Sequence, residues 1–155
     1  MYQSSQKERQ AASNCTPLAL RLAFVRETGR RALRSAGRGV YSDMTAQEIA
    51  ALEAGLKWTT APAGMQLTET GSRDTSVYLL AEGRARIARF SEAGREITFT
   101  DVSAPCFIGD LSAMTGDLRS VDVTLLTPAR FAQLTAPGFC NLLQSSPALA
   151  LGHVR

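Results

Sequence analysis

The sequence predicts a mainly β domain with flanking helices, folded as an antiparallel β-roll of the jelly-roll-like kind. Short runs with strand character recur between residues 57 and 134, at intervals of about eight to twelve residues with turn residues between them. Helical periodicity flanks this region on both sides. With 155 residues, of which 45% are hydrophobic and 20% charged, the chain can bury a sizeable core.

Residues 1–40 are interpreted as a basic N-terminal arm or linker, partly disordered or forming one helix, and residues 41–155 as the roll domain. The arm holds eight Lys and Arg residues against two Glu, a charge of +6, which leaves −3 for the rest of a chain whose net charge is +3. The high pI therefore does not mark a basic nucleic-acid face on the domain. A helix over residues 17–35 would be solvated or packed on a neighbour, and a membrane, nucleic-acid or targeting role is the alternative.

The domain is expected to open with a capped helix, for which Asp43 or Thr45 is the N-cap and Glu48 completes a capping box. Eight strands follow, separated by turns rich in Gly, Pro and Ser. The predicted strands are Lys57–Ala61, Met65–Glu69, Val77–Ala81, Arg84–Phe90, Glu96–Val102, Cys106–Ile108, Val121–Leu126 and Arg130–Leu134. Two helices are then predicted, over Pro137–Leu143 and Ala148–Val154.

The cysteines and the histidine exclude several classes of function. Cys15, Cys106 and Cys140 are odd in number and lack zinc-like spacing, so reduced thiols in a cytoplasmic protein are the plain interpretation, with Cys106 buried. His153, the sole histidine, is expected on the surface of the last helix, which argues against a metal cluster or a hydrolase. No catalytic residue, metal or cofactor is therefore assigned. The arm contains no membrane span or secretory signal pattern.

The stretch from Gly109 to Ser120 carries the chemistry of the chain. Gly109 permits a sharp turn, and residues 110–115 can form one or two helical turns that end at Gly116 in a left-handed cap. The backbone N–H groups that follow Asp110 would then converge on one anion. Those N–H groups belong to Leu111, Ser112 and Ala113.

Three side chains could complete an anion site at this turn. Arg119, expected at the start of the next strand, could reach back and bind a phosphate bidentately, and Ser120 offers a hydroxyl donor. Asp110 would repel a phosphate but could accept a hydrogen bond from a ribose 2′-hydroxyl. A sugar phosphate satisfies all three groups. The alternative is that nothing binds, that Asp110 caps its own helix, and that Arg119 pairs with Asp110 or Asp117.

The residues from Phe107 to Leu111 and from Arg119 to Val123 resemble the phosphate-binding cassette of the cyclic nucleotide-binding domain family. That family includes catabolite-activator-type regulators, cyclic-nucleotide-dependent kinases and gated channels. The resemblance covers about residues 43–153 and implies the β-roll fold, with Arg119 and Ser120 on the cyclic phosphate. It also implies that Asp110 stands for the family's glutamate, one methylene shorter, on the ribose hydroxyl. We expect the C-terminal helix to be truncated relative to the family pattern.

The resemblance implies a sensor rather than an enzyme: a regulatory domain that binds a 3′,5′-cyclic nucleotide as ligand, with cAMP favoured over cGMP. It would inform an effector domain or partner protein through its C-terminal helices. No DNA-binding motif or membrane span is expected, and the oligomeric state stays open. The alternatives are a ligand-free interaction or scaffold module, or a fragment of a larger transcription regulator, transporter or enzyme.

Overall fold

The computed structural model describes residues 39–91 and 93–154, so the predictions for residues 1–38 lie outside the described residues. A 3-10 turn, η1 (Gly39–Tyr41), precedes helix α1 (Ala46–Ala54). Eight strands and a short helix follow: β1 (Trp58–Ala61), β2 (Gln66–Thr68), β3 (Val77–Glu82), β4 (Arg84–Phe90), β5 (Glu96–Ser103), β6 (Cys106–Ile108), α2 (Asp110–Thr115), β7 (Asp122–Leu125) and β8 (Ala129–Leu134). Helices α3 (Ala136–Ser145) and α4 (Pro147–Val154) complete the described chain.

The strands form two four-stranded antiparallel sheets, in the orders β1-β8-β3-β6 and β2-β7-β4-β5. Their facing sides enclose a core to which both sheets contribute Leu80, Val123, Leu125 and Phe131. The predicted antiparallel roll is therefore confirmed. Its strand bounds agree with the sequence pattern to within a residue or two, because alternation and turn residues act locally.

Helix α1 begins as the sequence indicates. Thr45 is its N-cap, and the Thr45 hydroxyl accepts from the Glu48 backbone N–H at 3.2 Å while Glu48 Oε2 accepts from the Thr45 N–H at 2.7 Å. This reciprocal pair satisfies two donors that the helix itself leaves unpaired.

Helix α4 packs against the N-terminal side of the domain. Leu149 is fully buried in a cluster with Val40, Tyr41 and Leu79. Gly152 lies so close to η1 that a Cβ atom there would overlap the carbonyl oxygen of Val40. The two ends of the described chain thus meet beside the sheet that contains β3 and β6.

The cysteines differ from the sequence prediction in one respect. Cys106 is a free thiol, and burial, helped by the nearby Asp110 carboxylate, raises its pKa to about 12, which disfavours the thiolate form. Cys140 is disulfide-bonded, so the expectation of reduced thiols is wrong there. None of the helices in the described part of the chain is long and apolar enough to cross a membrane.

Candidate functional site

The candidate site is built where β6 ends and α2 begins. Gly109 is the N-cap of α2 and has φ 86°, a left-handed conformation that glycine adopts without strain. Gly116 ends the helix with φ 74°, and its N–H donates to the carbonyl of Ser112 at 2.9 Å. The predicted turn, short helix and left-handed end are all present.

The residues of α2 divide between the protein interior and its surface. Ser112 and Ala113 are buried, whereas Leu111 keeps 37% of its surface exposed. Gly109 carries no side chain that could cap the helix, so the first N–H groups of α2 lie outside the helix's own hydrogen bonding. Asp110 stands in the first turn, where a carboxylate is favoured by the helix dipole.

Arg119 folds back under this turn, as the spacing predicts. It does not lie at the start of the next strand, as expected, because β7 begins only at Asp122. Its side chain is 3% exposed. Arg119 Nη1 donates to the carbonyl of Gly109 at 2.8 Å, and Nη2 donates to the carbonyl of Ser76 and to Asp74 Oδ2, the latter at 3.0 Å. Arg119 Nε is buried and has no hydrogen-bond partner among the described residues.

The backbone of Arg119 is held by the same loop that supplies Asp74 and Ser76. The N–H of Arg119 donates to the carbonyl of Ser72 at 2.9 Å, and its carbonyl accepts from the N–H of Gly71 at 2.7 Å. This loop leads into β3, whose Tyr78 pairs with Ile108 of β6. The antiparallel register therefore brings Asp74 and Ser76 beside Gly109.

The carboxylate of Asp74 is the protein's own counter-charge for Arg119. Asp74 Oδ1 accepts from the N–H and the hydroxyl of Ser76, at 3.0 and 2.7 Å. Partial burial raises the pKa of Asp74, but the hydrogen bonds from Ser76 and the pairing with Arg119 outweigh this and hold it below its ordinary value. Asp74 keeps 42% of its side chain exposed, so it lies at the boundary between the site and solvent.

Asp110 pairs with His153, which was predicted to lie on the surface of the last helix. His153 Nε2 of α4 lies 2.8 Å from Asp110 Oδ2, and the two side chains are 4% and 17% exposed. The His153 ring also packs edge-to-face against Phe107 and Phe139, with centroids 5.1 and 5.8 Å apart. The prediction that His153 lies on the surface is therefore wrong.

The structure thus brings together Gly109, Asp110 and Arg119, and leaves Ser120 exposed beside them. It adds Asp74, Ser76 and His153, which sequence reasoning missed. Their positions depend on strand register and helix docking across more than forty residues, and no local pattern carries that information. Among the described residues no cluster of His, Cys, Asp or Glu could hold a metal ion.

The comparisons with known proteins agree with this fold. Residues 58–146 match the model of the cyclic nucleotide-binding domain, and the chain belongs to that family. No curated protein matches the sequence.

Solved structures with the same fold include the catabolite activator protein of Thermus thermophilus, with a TM-score of 0.63 and 18% identity over 73% of this chain and 53% of that one. The N-terminal domain of a transcriptional regulator from Streptomyces coelicolor A3(2) has a TM-score of 0.57 and is 25% identical, over 73% of this chain and 79% of that domain. The regulatory subunit of a cAMP-independent protein kinase A from Trypanosoma brucei has a TM-score of 0.59 and is 19% identical, over 72% of this chain and 40% of that subunit. This chain spans about half the length of the Thermus thermophilus protein.

Proposed function

We propose that this chain is a regulatory sensor domain that binds a 3′,5′-cyclic nucleotide, with cAMP favoured over cGMP. The observation that carries the proposal is the return of Arg119 onto the carbonyl of Gly109, with a buried Nε that lacks an acceptor in the described protein. A buried donor without a partner is costly, and a phosphate oxygen would satisfy it. Membership of the cyclic nucleotide-binding domain family supports the same ligand class.

Each predicted site residue has a role in this proposal, and Gly109 provides the left-handed turn from which α2 begins. Arg119 and Ser120 hold the cyclic phosphate, together with the backbone N–H groups of Leu111, Ser112 and Ala113. Asp110 accepts from the ribose 2′-hydroxyl. Because Asp74 already neutralises Arg119, phosphate binding exchanges one anion for another, and the exposed Asp74 loop can give way.

The signal would leave through α3 and α4, which follow the roll and pack against it. An effector domain or partner protein that contacts these helices would receive it. The domain itself performs no catalysis in this proposal. A cytoplasmic location and the role of the basic arm stay predictions.

A second candidate is a ligand-free interaction module on the same fold. It is favoured by a specific observation: Arg119 already binds Asp74, and Asp110 already contacts His153. The charged side chains of the site therefore already have partners within the protein, and Arg119 Nε alone of the guanidinium nitrogens has no acceptor among the described residues.

Calorimetric titration of the full chain with cAMP, cGMP and cyclic di-GMP separates the two candidates. We expect saturable binding of cAMP, weaker binding of cGMP and none of cyclic di-GMP. Arg119→Ala should reduce the affinity for cAMP by about tenfold to a hundredfold, as expected for the loss of charge-assisted hydrogen bonds. Arg119→Lys keeps the charge and should lose less.

Arg89→Ala is the matched control, because Arg89 is an exposed arginine on β4 of the same roll. Circular dichroism establishes that each variant is folded. Heats that match buffer up to millimolar nucleotide would refute the sensor and favour the interaction module. Equal losses in the Arg119 and Arg89 variants would place the phosphate elsewhere.

A further inference from the structure

The Asp110 carboxylate, which the proposed function assigns to the ligand's ribose, is occupied by α4. His153 Nε2 approaches Asp110 Oδ2 to 2.8 Å, and only 17% of the Asp110 side chain remains exposed. An aspartate has a single methylene between backbone and carboxylate, so it has little freedom to serve two partners on different sides. The contact joins the cassette directly to the C-terminal helix.

His153 is held for this contact from several directions. Phe107, just before the cassette, and Phe139 of α3 pack against the imidazole ring. One residue earlier, Gly152 brings α4 against the Val40 backbone, and Leu149 is buried one turn before. The end of α4 therefore cannot leave Asp110 without disturbing its own packing.

We propose that His153 is an internal competitor for the nucleotide-binding carboxylate: a ligand hydroxyl displaces His153 from Asp110 and loosens the last turn of α4. The proposal rests on the proposed function and names its regulation. It makes docking of α4 and binding of the ribose mutually unfavourable, so each lowers the equilibrium constant of the other by the same factor. Asp110 exchanges its contact with His153 for a contact with the ligand hydroxyl, so the carboxylate keeps a polar partner.

The test compares His153→Ala and His153→Gln with Leu151→Ala as matched control, because Leu151 lies on the same helix and is 50% exposed. Calorimetric titration of these variants of the 155-residue chain with cAMP measures the affinity. We expect His153→Ala to raise the affinity about tenfold, the order of one buried polar contact. His153→Gln keeps a hydrogen-bond donor and should raise it less, whereas Leu151→Ala should leave it unchanged.

Hydrogen exchange of the unmutated chain gives a readout that needs no variant to fold. We expect saturating cAMP to speed exchange of the backbone amides of residues 150–154 and to slow exchange in α2. Unchanged or slower exchange at the end of α4 would overturn the competition.

The titrations distinguish this inference from the function beneath it. Equal affinities for the unmutated chain and His153→Ala would overturn the competition and leave the sensor intact. A lower affinity in His153→Ala would mean that His153 positions Asp110 for the ligand, which also overturns it. Absence of binding in every variant would refute the sensor and the competition together.

Discussion

Arg119 joins three segments of the chain at a single guanidinium group. The carbonyls of Gly109 and Ser76 and the carboxylate of Asp74 surround it, and its side chain is almost completely buried. Buried cations need such partners, because removal from water otherwise costs several kcal/mol. The residue proposed to recognise a phosphate is thus also the residue that holds the cassette against β3.

Substitution of Gly109 tests the structural part of this double role, because an added Cβ atom would press on Arg119. A Cβ at residue 109 would lie 2.5 Å from Arg119 Nη1 and 2.8 Å from the carbonyl oxygen of Ser76, at a φ of +86°. We expect Gly109→Ala to lower the free energy of unfolding by about 2–4 kcal/mol, from backbone strain together with overpacking. Urea unfolding followed by Trp58 fluorescence measures it.

Gly94→Ala is the control for the backbone component of that cost. Gly94 also has a positive φ, +73°, but no atom lies within 4 Å of a Cβ built there. Gly94→Ala should therefore cost only the strain, about 1–2 kcal/mol. If the two variants lose equal stability, the contact between Gly109 and Arg119 is not close enough to matter.

At the scale of elements, α4 is fixed by backbone proximity as much as by side chains. Gly152→Ala would place a methyl group against the Val40 carbonyl, so helix and turn must separate. We expect a loss of about 1–3 kcal/mol in the free energy of unfolding, typical of overpacking. Faster hydrogen exchange in η1 and α4, with little change in the sheets, would localise the effect.

The control for this substitution is Gly55→Ala after α1. Gly55 has φ −86°, and a Cβ there meets its nearest neighbours at 3.6 and 3.7 Å, which is ordinary contact. We expect Gly55→Ala to change the free energy of unfolding by less than about 1 kcal/mol. Comparable losses at Gly55 and Gly152 would show that α4 does not need its close approach to η1.

The difference between what the sequence predicted and what it missed follows from the range of each interaction. The bounds of β4 and the Thr45–Glu48 capping box are readable because the signals that set them lie within a few residues of one another. The return of Arg119 to Gly109 spans ten residues and was readable from a loop motif. Asp74 is 45 residues from Arg119, and His153 reaches Asp110 only because α4 docks beside β6. These pairings need the finished register, which no local pattern encodes.

At the scale of the whole molecule, the carboxylates link stability to acid. The pKa of Asp101 is held below its ordinary value by the hydrogen bonds from Arg86, and that of Glu48 by the hydrogen bonds from Thr45. The pKa of Asp74 is lowered as well. Each group binds protons more weakly in the folded state than in the unfolded one, so each favours folding above its unfolded pKa of about 4. That contribution fades as the pH falls through the lower folded pKa.

Among these carboxylates, we expect Asp74 to contribute most to the acid sensitivity of the site, because its partner Arg119 is buried. We expect the urea midpoint of the unmutated chain to fall between pH 5 and pH 2, and Asp74→Asn to fall less steeply from a lower value at pH 7. The two curves should converge at the acid end, where Asp74 is protonated and its attraction to Arg119 is lost. Asp117→Asn, an exposed carboxylate of the same cassette, should run parallel to the unmutated chain. If the urea midpoint of Asp74→Asn also falls in parallel with that of the unmutated chain, the carbonyls of Gly109 and Ser76 alone stabilise the buried guanidinium. Loss of the Asp74 contact would then cost no stability when a phosphate binds.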